Sequence, residues 1–110
     1  MKVTNYITED GKEPFAEWIR RLRDSNGRAR INARITRIRV SGNFGDVEPA
    51  GNGVSELKID YGPGYRVYLA TSDDEIVFLL CGGDKDSQQS DIEKAREYWS
   101  DYKARTKRGK

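Results

Sequence analysis

The sequence contains no histidine, a single cysteine and only three prolines in 110 residues. Histidine is the side chain whose charge changes most readily near neutral pH, so any acid–base chemistry in this chain must rely on other groups. The single Cys81 excludes an internal disulfide, and its place at the end of the apolar run IVFLLC predicts a buried thiol in a reducing compartment. These absences exclude histidine-based catalysis and a fold held together by disulfides.

Long hydrophobic runs are absent as well. No stretch approaches the roughly 20 apolar residues that span a bilayer, and the opening residues, MKVTNYITEDG, lack the apolar core of a signal peptide. We therefore expect no membrane partner and a cytoplasmic location. The length predicts a single domain, which we place at residues 1–102, followed by a basic C-terminal tail at residues 103–110.

Basic residues are concentrated in two segments, although the formal net charge is only +2. The segment from Arg20 to Arg39 contains eight arginines and one acid, and residues 103–110 contain five basic residues and no acid. A single run of this kind is often a solvated face, but two runs in one small domain favour a polyanionic partner such as a nucleic acid. The candidate contact residues are Arg30, Arg34, Arg37, Lys103, Arg105, Lys107 and Arg108.

Two amphipathic helices are predicted in the first half of the chain. The first begins near Pro14, where Asp10 and Glu13 have the spacing of a capping box. Its apolar stripe consists of Phe15, Trp18, Ile19 and Leu22. The segment DSNG ends this helix and offers Asp24 or Ser25 as the next N-cap. The second stripe consists of Ile31, Ile35 and Ile38, with Arg30, Arg34 and Arg37 on a neighbouring ridge.

The other segments predict strands and one more helix. The predicted strands cover residues 2–8, 54–61, 65–71 and 76–81, and a loop covers residues 41–53. In the first strand, Val3 and Ile7 are the expected core anchors. The run at 76–81 is apolar at every position, as in a strand buried on both faces. The last helix is capped either by Asp86 and Ser87 or by the SDIE box that follows them. The order β-α-α-β-β-β-α predicts an α+β fold in which an antiparallel meander sheet packs under a helical hairpin.

The two middle strands are expected to present polar side chains on the face away from the helices. The apolar positions that should face the helices are Leu57, Ile59, Val67 and Leu69. Glu56, Lys58, Arg66 and Tyr68 then share the open face. Lys85 follows the last meander strand, where its loop can bring it over the same face. The expected patch of Lys58, Arg66, Tyr68 and Lys85 is either a solvated sheet surface or a site for phosphodiester chemistry.

Cleavage of RNA by its own 2′-hydroxyl needs a base, cations on the phosphoryl oxygens and an acid for the leaving 5′-oxygen. Arg66 cannot be the base because a guanidinium stays protonated. A lysine or tyrosine starts near a pKa of ~10 and must shift down by about 3 units to act at neutral pH. Clustered cations favour such a shift, so a patch of lysine, arginine and tyrosine is a workable site.

Three segments, in this order, resemble the RelE/HigB superfamily of type II toxins and, within it, the phage-related addiction module killer proteins. They are FAEWIRRLRD, GVSELKIDYGPGYRVYLA and IVFLLCGGDKDSQQSDIEKA. The resemblance extends from about residue 3 to residue 102. It implies a RelE-like fold and a metal-independent, cofactor-free RNase that enters the ribosomal A site, cuts mRNA to a 2′,3′-cyclic phosphate and a 5′-hydroxyl, and so inhibits translation. It also implies a cognate antitoxin, usually a helix-turn-helix DNA-binding protein.

The resemblance also suggests roles for individual residues. Those that correspond by position to the family's basic sheet residues are Lys58, Arg66 and Lys85, and Tyr68 follows its arginine-x-aromatic pattern. We expect Arg66 to stabilise charge on the scissile phosphate and Lys58 to act as base or electrostatic partner. Tyr68 would orient the 2′-hydroxyl or stack on a base, and Lys85 would assist the leaving group or hold the RNA backbone. The residues expected to contact ribosomal RNA are Arg30, Arg34, Arg37 and the segment 103–110.

The identity of the general base stays open. Two functions other than that of an RNase also stay open. Some branches of the family use a C-terminal tyrosine or a histidine, but Tyr98 and Tyr102 fit the apolar stripe of the last helix and no histidine exists. A non-enzymatic basic RNA- or DNA-binding module is an alternative that the basic runs support equally well. A second alternative is an interaction protein whose only partner is the antitoxin. Product formation separates an RNase from both.

Overall fold

The computed structural model describes residues 1–108, with only the backbone of Arg108. The three helices are α1 (Pro14–Arg21), α2 (Ser25–Ser41) and α3 (Gln88–Arg108). The five strands are β1 (Lys2–Asn5), β2 (Val47–Gly51), β3 (Val54–Ile59), β4 (Tyr65–Ser72) and β5 (Ile76–Gly83). They form one sheet in the order β1-β5-β4-β3-β2. The class is therefore α+β, as expected. The sheet is mixed because β1 is parallel to β5, whereas the other pairs are antiparallel.

The sheet differs from the expected meander at both edges. One edge is the parallel strand β1, and the other is β2, which lies within residues 41–53, where the sequence predicts a loop. Gly51, Asn52 and Gly53 have positive φ angles of 89°, 56° and 85° and connect β2 to β3. The residues that suggest a loop therefore form a tight hairpin turn. Pro49 is tolerated in β2 because this strand is at the sheet edge.

Helices cover both faces of the sheet, whereas the sequence predicts helices on one face and an open surface on the other. The first core, under α1 and α2, contains the four strand residues assigned to it, together with Phe15, Ile31, Ile35 and Ile38. The second core, under α3, contains Ala95 and Trp99 packed with Tyr68, Ala70 and Leu80. The predicted open face is therefore wrong: α3 turns back over it and buries its centre.

The prediction that β5 is buried on both faces is confirmed. Val77 and Leu79 belong to the first core, and Phe78 and Leu80 belong to the second. Cys81 is a buried free thiol, as expected. A strand that contributes apolar side chains to two cores needs an uninterrupted apolar sequence, which explains its composition.

β1 is shorter than the predicted first strand, and one of its anchors differs. Val3 packs against the first core, but Ile7 is 49% exposed because the strand ends at Asn5. Tyr6 is buried instead, and its hydroxyl donates a hydrogen bond to Asp101 Oδ2 at 2.5 Å. Burial raises the pKa of Tyr6 to about 12. This hydroxyl connects the beginning of the chain to α3.

The helix starts agree with the sequence in part. Asp24 is the N-cap of α2, one of the two expected caps, and its carboxylate accepts a hydrogen bond from the Gly27 N–H at 2.9 Å. The capping box expected before α1 does not form, because the Glu13 carboxylate accepts from Asn5 and the Asp10 carboxylate accepts from Thr8.

The last helix is longer than the sequence suggests. α3 begins at Gln88, directly after Ser87, which supports the first of the two predicted caps. It continues to Arg108, so residues 103–108 of the expected tail are helical, and residues 109–110 lie outside the described part of the chain. Within residues 1–108, no helix has both the length and the apolar composition needed to cross a membrane.

Replacing Ile38 with alanine should lower the free energy of unfolding by about 2–5 kcal/mol, because the Ile38 side chain is fully buried in the first core. Val40→Ala on the same helix is the matched control. Since Val40 is 79% exposed, its replacement should change the free energy of unfolding by less than about 0.5 kcal/mol. Urea unfolding followed by circular dichroism measures both values. Equal losses would contradict this orientation of α2.

Alkaline pH should destabilise the fold in a defined window. Burial raises the pKa of Cys81 from 9.0 to about 12. Burial, with the Asp24 carboxylate, raises the pKa of Tyr65 from 10.0 to about 12. Above its ordinary pKa, each group ionises in the unfolded chain but stays protonated in the folded one. The free energy of unfolding should therefore fall as the pH rises from 9 to 12.

Cys81→Ala tests the lower part of this window, because the thiol begins to ionise before the tyrosines do. The variant should show a smaller fall in unfolding free energy between pH 9 and pH 10 than the wild type. The measurement is urea unfolding at closely spaced pH values. Identical slopes for the two proteins in this interval would show that the buried thiol is not coupled to folding.

Candidate active site

The turn between β3 and β4 places two cations side by side. The backbone carbonyl of Tyr61 accepts a hydrogen bond from the Gly64 N–H at 3.1 Å. Gly62 and Gly64 have φ angles of +57° and +81°. Glycine adopts such angles most readily because it has no Cβ, which explains the GPG sequence. The hairpin that this turn closes pairs Lys58 directly with Arg66.

A cleft of about 330 Å³ lies against this turn. Its lining residues are Asp46, Lys58, Asp60, Gly62, Pro63, Gly64, Arg66 and Lys85. The structure therefore brings together three of the four predicted site residues: Lys58, Arg66 and Lys85. Two carboxylates, those of Asp46 and Asp60, line the same cleft, and the carboxylates of Glu48 and Glu56 lie beside Lys58 and Arg66, so acids close by compensate these cations.

Tyr68 is the fourth predicted residue, and it does not line the cleft. Its side chain is fully buried in the second core because α3 packs over this part of β4. Its hydroxyl donates a hydrogen bond to Glu56 Oε2 at 3.0 Å. Burial and this carboxylate raise the pKa of Tyr68, which is the opposite of the shift that a base would need. The expected exposure of Tyr68, and with it direct contact with RNA, is wrong.

Glu56 is the residue that the sequence reasoning undervalued. It is only 4% exposed, and Oε2 also accepts a hydrogen bond from Gln88 Nε2 at 2.7 Å. The same oxygen lies 3.7 Å from Arg66 Nε. The glutamate therefore connects β3, β4 and the start of α3 at one point. The only hint in the sequence is that Glu56 shares a face with Tyr68 and Arg66.

The Arg66 side chain is held from two directions. Nη1 donates to the carbonyls of Gly64 and Tyr65 at 3.1 and 3.2 Å, and Nε faces the Glu56 carboxylate. The side chain is only 13% exposed. Among the described residues Nε has no hydrogen-bond partner, so Nη1 and the ion pair with Glu56 fix the position of the cation.

Lys58 and Lys85 are held less tightly than Arg66. Lys58 Nζ lies 3.0 Å from Glu48 Oε1, but the Glu48 side chain is largely exposed. Exposed ion pairs contribute only ~0.2–1 kcal/mol, so another anion can replace this partner at little cost. Lys85 is exposed and lies next to the turn, since its Cβ is 3.5 Å from the position that a Cβ on Gly64 would occupy.

The three arginines of α2 that the sequence predicts as nucleic-acid contacts have different roles. The Arg34 guanidinium donates hydrogen bonds to the carbonyls of Lys58, Phe44 and Asp46, and burial lowers its pKa. Arg34 therefore fixes the β2–β3 region to α2, and its guanidinium is engaged by backbone carbonyls, whereas the sequence predicts a nucleic-acid contact. Arg30 lies over the Tyr61 ring, 4.4 Å from its centroid, and Arg37 is exposed.

The basic residues of α3 are also unequal. Arg105 donates to Asp101 at 2.9 Å and to the carbonyl of Ile7 at 2.6 Å, so it fixes α3 to the end of β1. Lys103 lies 5.9 Å from the centroid of the Trp99 ring and is exposed, as is Lys107. The side chain of Arg108 lies outside the described part of the chain.

The interpretation of Tyr98 and Tyr102 as helix core is confirmed. Both rings pack against the second core. The Tyr102 ring centroid lies 4.4 Å from that of Phe78, and the Tyr98 centroid lies 5.1 Å from that of Tyr6. Among residues 1–108, no group of three or more histidine, cysteine, aspartate or glutamate side chains is arranged to hold a metal ion.

Comparison with known proteins shows that this chain has a relative. A protein of Haemophilus influenzae (strain ATCC 51907 / DSM 11121 / KW20 / Rd), described as an uncharacterized protein, is 48% identical over 82 residues. The match covers 74% of this chain and 82% of the relative. The chain therefore belongs to the same protein family as this relative. No family model matches the chain. No solved structure matches it.

Removing the Tyr68 hydroxyl should destabilise the protein. Tyr68→Phe leaves the buried Glu56 with one fewer donor, and a hydrogen bond to a charged group contributes about 1.5–3 kcal/mol. Tyr98→Phe is the matched control because its ring is only half-buried and its hydroxyl has no hydrogen-bond partner among the described residues. Urea unfolding of both variants measures the difference. A loss for Tyr68→Phe no larger than for the control would show that Glu56 does not depend on this hydroxyl.

Proposed function

We propose that this protein is the toxin of a type II toxin–antitoxin system. It is a ribosome-dependent, metal-independent mRNA endoribonuclease of the RelE/HigB kind that cuts mRNA in the ribosomal A site. The observation that carries the proposal is the cleft at the GPG turn, where Lys58, Arg66 and Lys85 converge. The helical pair α1–α2 on one face of a sheet, with the β3–β4–β5 meander at its centre, is consistent with a RelE-like fold.

The proposed reaction needs no group beyond the RNA and this cleft. The 2′-oxygen forms a bond to phosphorus, the bond from phosphorus to the 5′-oxygen breaks, and the products are a 2′,3′-cyclic phosphate and a 5′-hydroxyl. Arg66 stabilises the charge that develops on the phosphoryl oxygens. Lys58 accepts the proton of the 2′-hydroxyl or acts as an electrostatic partner, and Lys85 protonates the leaving oxygen or holds the backbone.

The buried Glu56 gives Tyr68 an indirect role in this proposal. Tyr68 and Gln88 both donate to Oε2 of Glu56, which faces Arg66 Nε. Tyr68 is therefore a positioning residue rather than a group that touches the RNA. This replaces the expectation that its ring stacks on a base.

The proposed partners rest on the remaining exposed charges and on the family resemblance. Exposed basic residues outside the cleft would contact ribosomal RNA; they are Arg30, Arg37, Lys103 and Lys107. A cognate antitoxin with a helix-turn-helix DNA-binding domain would neutralise the toxin in the cytoplasm. Phosphate contacts of this kind make binding strongly dependent on salt.

Arg66→Ala should abolish growth arrest and lower mRNA cleavage by about 10²–10³-fold, the usual effect of losing a donor that stabilises transition-state charge. Arg39→Ala is the matched control because Arg39 is exposed near the end of α2 and does not line the cleft. The measurement is induced expression of each protein with mapping of mRNA 5′ ends. Circular dichroism confirms that both variants fold. Near wild-type cleavage by Arg66→Ala would contradict the assignment.

A non-enzymatic RNA-binding module is the second candidate, and the exposed arginines outside the cleft favour it. The same expression experiment decides between the two functions. Folded wild-type protein that binds RNA but produces no new 5′ ends would support the binding module. New 5′ ends within coding regions, absent without translation, would support the toxin.

A further inference from the structure

The cleft at the GPG turn opens into a groove that runs along α2. A second pocket of about 250 Å³ shares Asp60 with the cleft, and a third of about 480 Å³ shares Arg30 and Ala33 with the second. The three pockets are therefore neighbours along α2, and we call the two that lie beyond the cleft the α2 groove. Its other end is at Asn26, near the start of α2.

The walls of the α2 groove are fixed relative to the cleft. Arg34 lines the middle pocket and bonds to the carbonyls of Lys58, Phe44 and Asp46. Lys58 and Asp46 themselves line the cleft. One guanidinium thus connects the two parts, so a ligand that spans them meets a preformed surface.

The α2 groove has the chemistry of a site for a single nucleic-acid strand. Arg37 is exposed beside the middle pocket and matches a phosphate. In the outer pocket the Arg30 guanidinium lies over the half-buried Tyr61 ring. Unpaired RNA bases stack on aromatic rings and on arginine guanidinium planes. The pocket floor next to this pair is formed by the small side chains of Ala29 and Ala33, which leave room for a flat ring.

Asp60 marks the junction between the cleft and the groove. Its exposed carboxylate repels a phosphate and accepts hydrogen bonds from hydroxyl or amino groups. The junction therefore suits a nucleoside, with phosphates on either side of it at the cleft cations and at Arg37. This alternation of acceptor and cation is what a sugar–phosphate chain requires.

We propose that the α2 groove holds the single-stranded RNA that continues from the scissile phosphate, with one unpaired base stacked on the Arg30–Tyr61 pair. The proposal rests on the proposed function for its location, since the cleft is taken as the site of cleavage. It assigns Arg30 and Arg37 to the substrate strand rather than to ribosomal RNA. The groove then holds the single strand by stacking, which tolerates different bases.

The test measures binding without cleavage. A short single-stranded 2′-O-methyl RNA carrying a fluorophore cannot be cut, because it has no free 2′-hydroxyl, and its affinity is measured by fluorescence anisotropy. Tyr61→Ala and Arg30→Ala should each weaken binding by about tenfold or more, the usual effect of losing one stacking contact. Tyr61→Phe keeps the ring and should bind like the wild type. Arg37→Ala should reduce the slope of log K against log salt by about 0.7, which corresponds to one phosphate.

Arg39→Ala is the control for loss of one positive charge, because Arg39 is on the same helix but lines none of the three pockets. An equal loss of affinity for Arg39→Ala and Arg30→Ala would overturn the proposal, since only overall charge would then matter. Crosslinking adds a positional measurement. With 4-thiouridine in the same RNA, crosslinks on Tyr61 or on residues 26–37 support the groove, and crosslinks confined to α3 overturn it.

Failure of the groove and failure of the proposed function are distinguishable. If the protein cuts mRNA in cells while Tyr61→Ala and Arg30→Ala bind and cut like the wild type, the groove is wrong and the function stands. If no cleavage occurs but both variants lose RNA affinity and Tyr61→Phe retains it, the α2 groove is an RNA site on a protein that is not a nuclease.

Discussion

The arrangement of this molecule depends on one buried carboxylate. Glu56 accepts hydrogen bonds from Tyr68 and Gln88 and faces Arg66, so it joins two central strands to the start of α3. A buried charge is costly unless it is compensated by hydrogen bonds and an opposite charge, and here both are present. The same group therefore stabilises the packing of α3 and determines where the guanidinium lies. Stability and the geometry of the cleft are thus coupled through a single side chain.

The two-sided packing of the sheet explains why the cleft is confined to one end of it. α1 and α2 cover one face and α3 covers the other, so polar side chains are accessible only where the strands emerge from beneath the helices. Lys58 and Arg66 are at that boundary because they pair next to the turn, whereas Tyr68 lies one step further in and is enclosed. A shift of two residues along β4 separates a surface cation from a core tyrosine.

Much of this fold could be predicted from the sequence, because apolar periodicity reports directly on burial. The stripe of Ile31, Ile35 and Ile38, the wholly apolar β5 and the grouping of Lys58 with Arg66 all follow from it. The role of Glu56 could not be predicted, because alternation within a strand identifies a face but not what covers it. The apolar stripe of α3 was recognisable, yet nothing local specified the face on which it packs. The hairpin at Gly51–Gly53 was obscured for a related reason, since glycine and asparagine mark tight turns and long loops alike.

The parallel pairing of β1 with β5 has a consequence for how the protein folds during its synthesis. Lys2 to Asn5 find their partner strand only at Ile76 to Leu79, which are synthesised much later. Until that distant segment has emerged, the amino-terminal strand has no neighbour, and the sheet cannot close around its first core. Contacts so far apart in sequence also slow folding. A nascent chain of this protein therefore cannot complete its first core until β5 has been made, after α1, α2 and the three strands that precede β5 in the hairpin region.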